Sequence, residues 1–139
     1  MPRATTTSEF HLKVGDNLGA GADLFGQLKD AGVNVVASCC YQIGDAAHLS
    51  FVPEEPGGAE EVLTAHKLEH EMHEVLLVEI ASQSGAFAEV LQEVAALGVH
   101  TRSAYVTPTT TASGLVVLKT DDNVRVLEEL NRPRSARHT

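Results

Sequence analysis

Apolar and polar residues alternate through Phe10-His11-Leu12-Lys13-Val14, the pattern of a strand with one buried face. A glycine-containing turn over 16–19 follows. Leu24, Phe25, Leu28 and Ala31 then recur at the three- and four-residue spacing of a helix with one buried stripe. Gly32 stands where a helix commonly closes in a left-handed residue. From Val33 a β-branched run predicts a strand, which turns through Ile43-Gly44-Asp45 and returns over His48–Val52. Pro56-Gly57-Gly58 leads into a second helix through Glu60, Glu61, Val62 and Leu63.

The same order is then written again. Gly32-Val33 and Gly98-Val99 are 66 residues apart, and that offset carries Gly19-Ala20 onto Gly85-Ala86, Ala22 onto Ala88 and Leu49 onto Leu115. Similar residues fall in phase as well: Leu12 with Val78, Val14 with Ile80, Asp23 with Glu89, Leu28 with Val94. The second copy has a strand at Leu76–Ile80, a helix through Phe87, Val90, Leu91 and Val94, and a strand from Val99. A turn at Pro108-Thr109-Thr110, a strand at Gly114–Lys119 and a helix N-capped by Asp122 complete it. A duplication of this kind predicts an α+β protein of two ferredoxin-like β-α-β-β-α units. Each unit has an antiparallel sheet with its helices on one face. One copy is small for a stable core, so the pair is expected to share a sheet or a helical layer about a pseudo-twofold axis. The expected boundaries are 9–66 for the first repeat, 67–74 for a connector or edge strand, 75–130 for the second repeat and 131–139 for a loose tail.

Composition narrows the function. The chain has 139 residues, 43% of them hydrophobic, and a formal charge of −9. That charge repels nucleic-acid backbones and anionic membranes, so neither is expected as a partner. No apolar run approaches the roughly 20 residues that span a bilayer, and the opening MPRATTTSEF has no signal-like stretch, so a cytoplasmic location is expected. Cys39 and Cys40 are neighbours, which in a strand point to opposite faces; one thiol is expected buried and no bridge between them.

The most suggestive chemistry is HKLEHEMHE over 66–74. In a helix His66, His70 and His73 would share one stripe with Glu69, a plausible zinc or nickel set. The segment instead occupies the place of a fourth strand. If extended, it puts His70 with Leu68, Met72 and Glu74 on one face and His73 with Glu69 and Glu71 on the other, and no metal site is expected. Gly19-Ala20-Gly21 opens a helix after a strand, as a dinucleotide-binding turn does. Leu24, however, takes the place of the third glycine, and Phe87 replaces Gly21 in the second copy. No nucleophile elbow surrounds Ser84 and no catalytic constellation is evident, so neither an enzyme nor a cofactor is expected.

The strand, D-x-x-G turn, helix, G-V-N strand and hairpin, met twice, resemble the ACT domain, an amino-acid-binding regulatory module. The residues concerned are Asp16-Asn17-Leu18-Gly19 and Gly32-Val33-Asn34-Val35, then Ser82-Gln83-Ser84-Gly85-Ala86 and Gly98-Val99-His100. Leu18 and Ser84 stand where the family often has proline, and Ser82 replaces the turn aspartate. The resemblance implies a non-catalytic sensor that holds a free amino acid or similar small zwitterion between paired units. It also implies a homodimer and a regulated enzyme or transcription factor as partner. Candidate ligand contacts are Asp16, Asn17, Leu18, Gly19 and Ala20 in the first turn and Ser82, Gln83, Ser84, Gly85 and Ala86 in the second. Asn34, Gln42 and His100 come from the strands that follow the first helices. The main alternative is an interaction or oligomerisation module that has kept the fold without the ligand.

Overall fold

The computed structural model describes residues 3–15, 19–81 and 85–133. Its elements run β1 (Ala4–Val14), α1 (Ala20–Asp30), β2 (Val35–Ile43), β3 (Ala46–Pro53) and α2 (Pro56–Ala65). They continue as β4 (Glu71–Ala81), α3 (Ala86–Ala96), β5 (Thr101–Pro108), β6 (Ser113–Thr120) and α4 (Asn123–Asn131). The fold is α+β with antiparallel strand ladders. The chain divides into two compact units. One is Ser8–His73; the other is Glu74 onward together with the chain's first residues up to Thr7.

In the unit Ser8–His73 the strands lie in the order β2-β3-β1. The register pairs Phe10 with Phe51, His11 with Ser50 and Leu12 with Leu49. Because side chains alternate, Phe10, Leu12, Leu49 and Phe51 share one face. There they pack with Leu24 and Leu28 of α1 and with Ala59, Val62 and Leu63 of α2. Phe10 and Phe51 stack with ring centroids 5.5 Å apart. Both helices therefore cover the same face. Gly32, at φ +74°, reverses the chain after α1 in a left-handed conformation that a side chain would strain.

In the other unit β4-β6-β5 form the ladder, with Leu76 opposite Leu118 and Val78 opposite Val116. These four pack against Val90 and Val94 of α3 and Val126 and Leu130 of α4. The Asp122 carboxylate accepts from the Arg125 amide at 3.2 Å, capping α4. The start of β1 belongs to this unit: the Glu79 amide donates to the Arg3 carbonyl at 2.9 Å, and Ala4 enters the core. The Asn131 side chain clamps this segment. Its Oδ1 accepts from the Ala4 amide at 2.8 Å and its Nδ2 donates to the Ala4 carbonyl at 2.9 Å.

Several elements exceed their expected bounds. β1 begins at Ala4 rather than near Phe10, and β4 begins at Glu71 rather than near Val75. Asn131, assigned to a loose tail by sequence, is the last residue of α4. α2 ends at Ala65, with His66 as its C-cap, and Lys67 adopts φ +54°. No helix runs through His66, His70 and His73. Nor is either thiol fully buried: Cys39 is half-buried and Cys40 exposed, on a strand at the end of the order β2-β3-β1 that contributes no residue to the apolar cluster under α1 and α2.

Two stability predictions follow from this packing. Phe51→Ala opens a cavity under both helices and should cost about 3–5 kcal/mol in urea denaturation. Asn131→Ala strands both backbone groups of Ala4 and should cost roughly 1–3 kcal/mol in the same measurement. Wild-type midpoints for either variant would contradict the assigned packing.

Candidate functional site

Helices α1 and α3 begin at equivalent glycines. Gly19 is the N-cap of α1 and Gly85 of α3, and a glycine has no side chain of its own with which to cap a helix. By contrast α4 is capped by Asp122. The first-turn amides of a helix point outward at the positive end of its dipole, which suits a carboxylate. Gly85 is left-handed, with φ 95° and ψ −13°, and a Cβ built there meets nothing within 4 Å. Among the described residues, it is the torsion and not a close neighbour that demands glycine. One acidic side chain stands in the first turn of each helix, Asp23 in α1 and Glu89 in α3.

Beside the end of β4 lies a cavity of about 680 Å³, lined by Arg3, Glu79, Ile80, Ala81, Thr109, Thr110, Ala112, Ser113, Gly114 and Leu115. Its wall combines a guanidinium, a carboxylate and three hydroxyls, which suits a small polar molecule carrying both charges. Arg3 is oriented by Glu93 of α3, with Nη1 donating to Oε2 at 3.0 Å. The hairpin wall is ordered by the Thr109 and Thr110 amides, which both donate to the Ser113 carbonyl.

Of the residues singled out by sequence, Asp16, Asn17, Leu18, Ser82, Gln83 and Ser84 lie outside the described residues. Gly19 and Ala20 begin α1, and Gly85 and Ala86 begin α3. Asn34 Nδ2 donates to Glu54 Oε2 at 3.2 Å, and Gln42 Nε2 donates to the Gly44 carbonyl at 3.2 Å. The His100 carbonyl accepts from the Asp121 amide at 3.1 Å. Arg102 grips the Asp121 carboxylate, with Nη2 donating to Oδ2 at 2.7 Å. That hydrogen bond, more than the charge itself, holds the Asp121 carboxyl below the ordinary carboxylate range. Sequence reasoning missed Arg3 and Glu79. The Thr-rich run Thr5-Thr6-Thr7 was the available signal, since β-branched residues favour a strand that would carry Arg3 with it.

The histidines of 66–74 part company. His70 turns toward the helices: Nδ1 shares a hydrogen bond with the Leu68 carbonyl at 2.9 Å, and its ring lies 5.7 Å from Phe10. His73 bonds Glu71 at 3.0 Å and lies 6.4 Å, ring to ring, from His11. Among the described residues no group of three or more His, Cys, Asp or Glu is arranged to hold a metal ion.

No protein-family profile matches the chain, and no curated protein sequence does. Solved structures do share its fold. Protein BT0572 of Bacteroides thetaiotaomicron superposes with a TM-score of 0.82 at 19% identity, over 91% of this chain and 87% of that one. The regulatory subunit of aspartate kinase from Thermus thermophilus, in its ligand-free form, matches with a TM-score of 0.64 at 17% identity, over 93% of this chain and 97% of that one. A structure of aspartokinase alpha and beta subunits matches with a TM-score of 0.60 at 17% identity, over 91% and 95%. The chain thus has the α+β fold of these structures, aspartate kinase regulatory subunits among them.

Proposed function

We propose that the protein is a tandem ACT-type regulatory module that binds a small zwitterion, an amino acid above all, at its glycine-led helix starts. It does no chemistry of its own. Binding alters its pairing as a cytoplasmic homodimer, or the activity of a partner enzyme or transcription factor. The observation that carries this reading is Gly85: a left-handed glycine that opens α3, in a unit whose β4 end borders a cavity holding both Arg3 and Glu79. A zwitterion needs amide donors or a cation for its carboxylate and an acid for its ammonium group, and these residues offer both kinds. The likeness to aspartate kinase regulatory subunits supports a regulatory role, and the 66-residue offset between Gly19 and Gly85 supports the tandem arrangement.

A second reading rests on exposed apolar side chains. Tyr41 and Ile43 on β2 and Val106 on β5 stand at the surface, as in a module that serves only to dock another protein.

A thermal-shift screen with the twenty amino acids separates the two readings. A ligand at 100-fold above its dissociation constant should stabilise the full chain by about 2.7 kcal/mol. Gly85→Ala should cost roughly 1–2 kcal/mol through its left-handed torsion and should abolish or weaken the ligand-induced shift. No shift with any of the twenty would exclude the amino-acid reading and leave the docking module.

A further inference from the structure

The face of the Ser8–His73 unit turned away from its helices carries histidines from three strands. Phe10 and Leu12 point into the core, so His11 between them points the other way. Directly opposite is Ser50, and Lys13 is opposite His48. The His11 ring is held on both sides. Its Nδ1 shares a hydrogen bond with Ser50 Oγ at 2.9 Å, and its Nε2 shares one with His48 Nδ1 at 3.1 Å. His48 in turn stacks flat on Tyr41, with centroids 5.0 Å apart and planes 3° from parallel. On the other flank His73 meets the His11 ring edge-on at 6.4 Å and bonds Glu71 at 3.0 Å. None of these groups belongs to the proposed ligand site.

We infer that His11, His48 and His73 act as one proton-operated device, which loosens the Ser8–His73 unit when the solution turns mildly acidic. The bond between the two imidazoles needs one N–H donor and one bare acceptor nitrogen. A single added proton preserves that arrangement, because one ring can donate with both nitrogens while the other still accepts. A second proton leaves two N–H groups facing each other across the contact with no acceptor between them. The bond is lost and two cations repel, beside Lys13 on the same face. Glu9 on β1 and Glu71 on β4 oppose that charge, while Tyr41 and Cys39 on β2 and Ser50 on β3 add none while protonated. His11 stands at the centre. Burial, then His48 and, to a smaller degree, His73 push it below the ordinary value of 6.5, while Glu71 and Glu9 pull the other way. The sign is therefore fixed. The unfolded chain takes up this proton first, so stability is complete above about pH 6.5 and falls as pH drops from there through the lower folded-state value.

The test combines histidine Cε1–H NMR titration with melting curves of the full chain between pH 8 and 5.5. Wild-type protein should show His11 titrating below 6.5 and a melting temperature that falls with acid. In His48→Gln, which cannot take a proton, the His11 midpoint should rise and part of the acid-induced fall should disappear, the part due to His11 burial remaining. His73→Asn, at a ring that meets His11 edge-on without bonding it, should shift His11 in the same direction by less and serves if His48→Gln folds poorly. A wild-type His11 midpoint at or above 6.5, or one unmoved by both substitutions, would overturn the inference.

Discussion

Two-residue alternation along the central strands is the constraint on which everything else in the protein depends. Phe10, Leu12, Leu49 and Phe51 must meet α1 and α2, and Leu76, Val78, Val116 and Leu118 must meet α3 and α4. Once that is satisfied, the residues between them have no choice. His11, His48 and Ser50 are driven to the opposite face together, and a slip of one residue would bury the polar set and expose the aromatic one. The apolar core and the histidine face are two consequences of one register.

That constraint also explains how much was legible in the sequence. Local patterns placed the helices, the left-handed Gly32 and Gly98, and the Asp122 cap, because each depends on neighbours within a turn or two. The α+β class followed from their order. What escaped was set by distant partners. Ala4–Glu9 lacks an alternating apolar pattern, yet β1 starts at Ala4, where Glu79 bonds Arg3 from 76 residues away and Asn131 bonds Ala4 from 127 residues away. The start of β4 at Glu71 was missed for a related reason, since His73 and Glu71 settle against His11 rather than against sequence neighbours.

The candidate chemistry divides in the same way. HKLEHEMHE suggested a helical stripe of histidines, but His66 ends α2 and Lys67 turns the chain before β4 begins. The trio that does assemble draws one member from each of three strands. No spacing rule on a single segment could have found it, because His11 and His48 are joined by the β1–β3 register alone. The glycines that open α1 and α3 were recognisable early because a glycine between a strand and a helix is a local pattern, although only Gly85 is left-handed and Gly19 has φ −97°. Arg3 was not, since its place beside Glu93 depends on the packing of the first strand. The outcome is an acidic chain with two kinds of polar feature, glycine-led helix starts and an imidazole face, for which a small charged ligand and protons are the proposed partners.

The register itself is open to direct measurement. Nuclear Overhauser contacts in the full-length protein should link the Phe10 ring to Phe51 and Leu28, and the His11 ring to Ser50 and His48. Contacts from His11 to Phe51 and Leu28 instead would place β1 one residue out of step, and neither the core nor the histidine face described above could then exist.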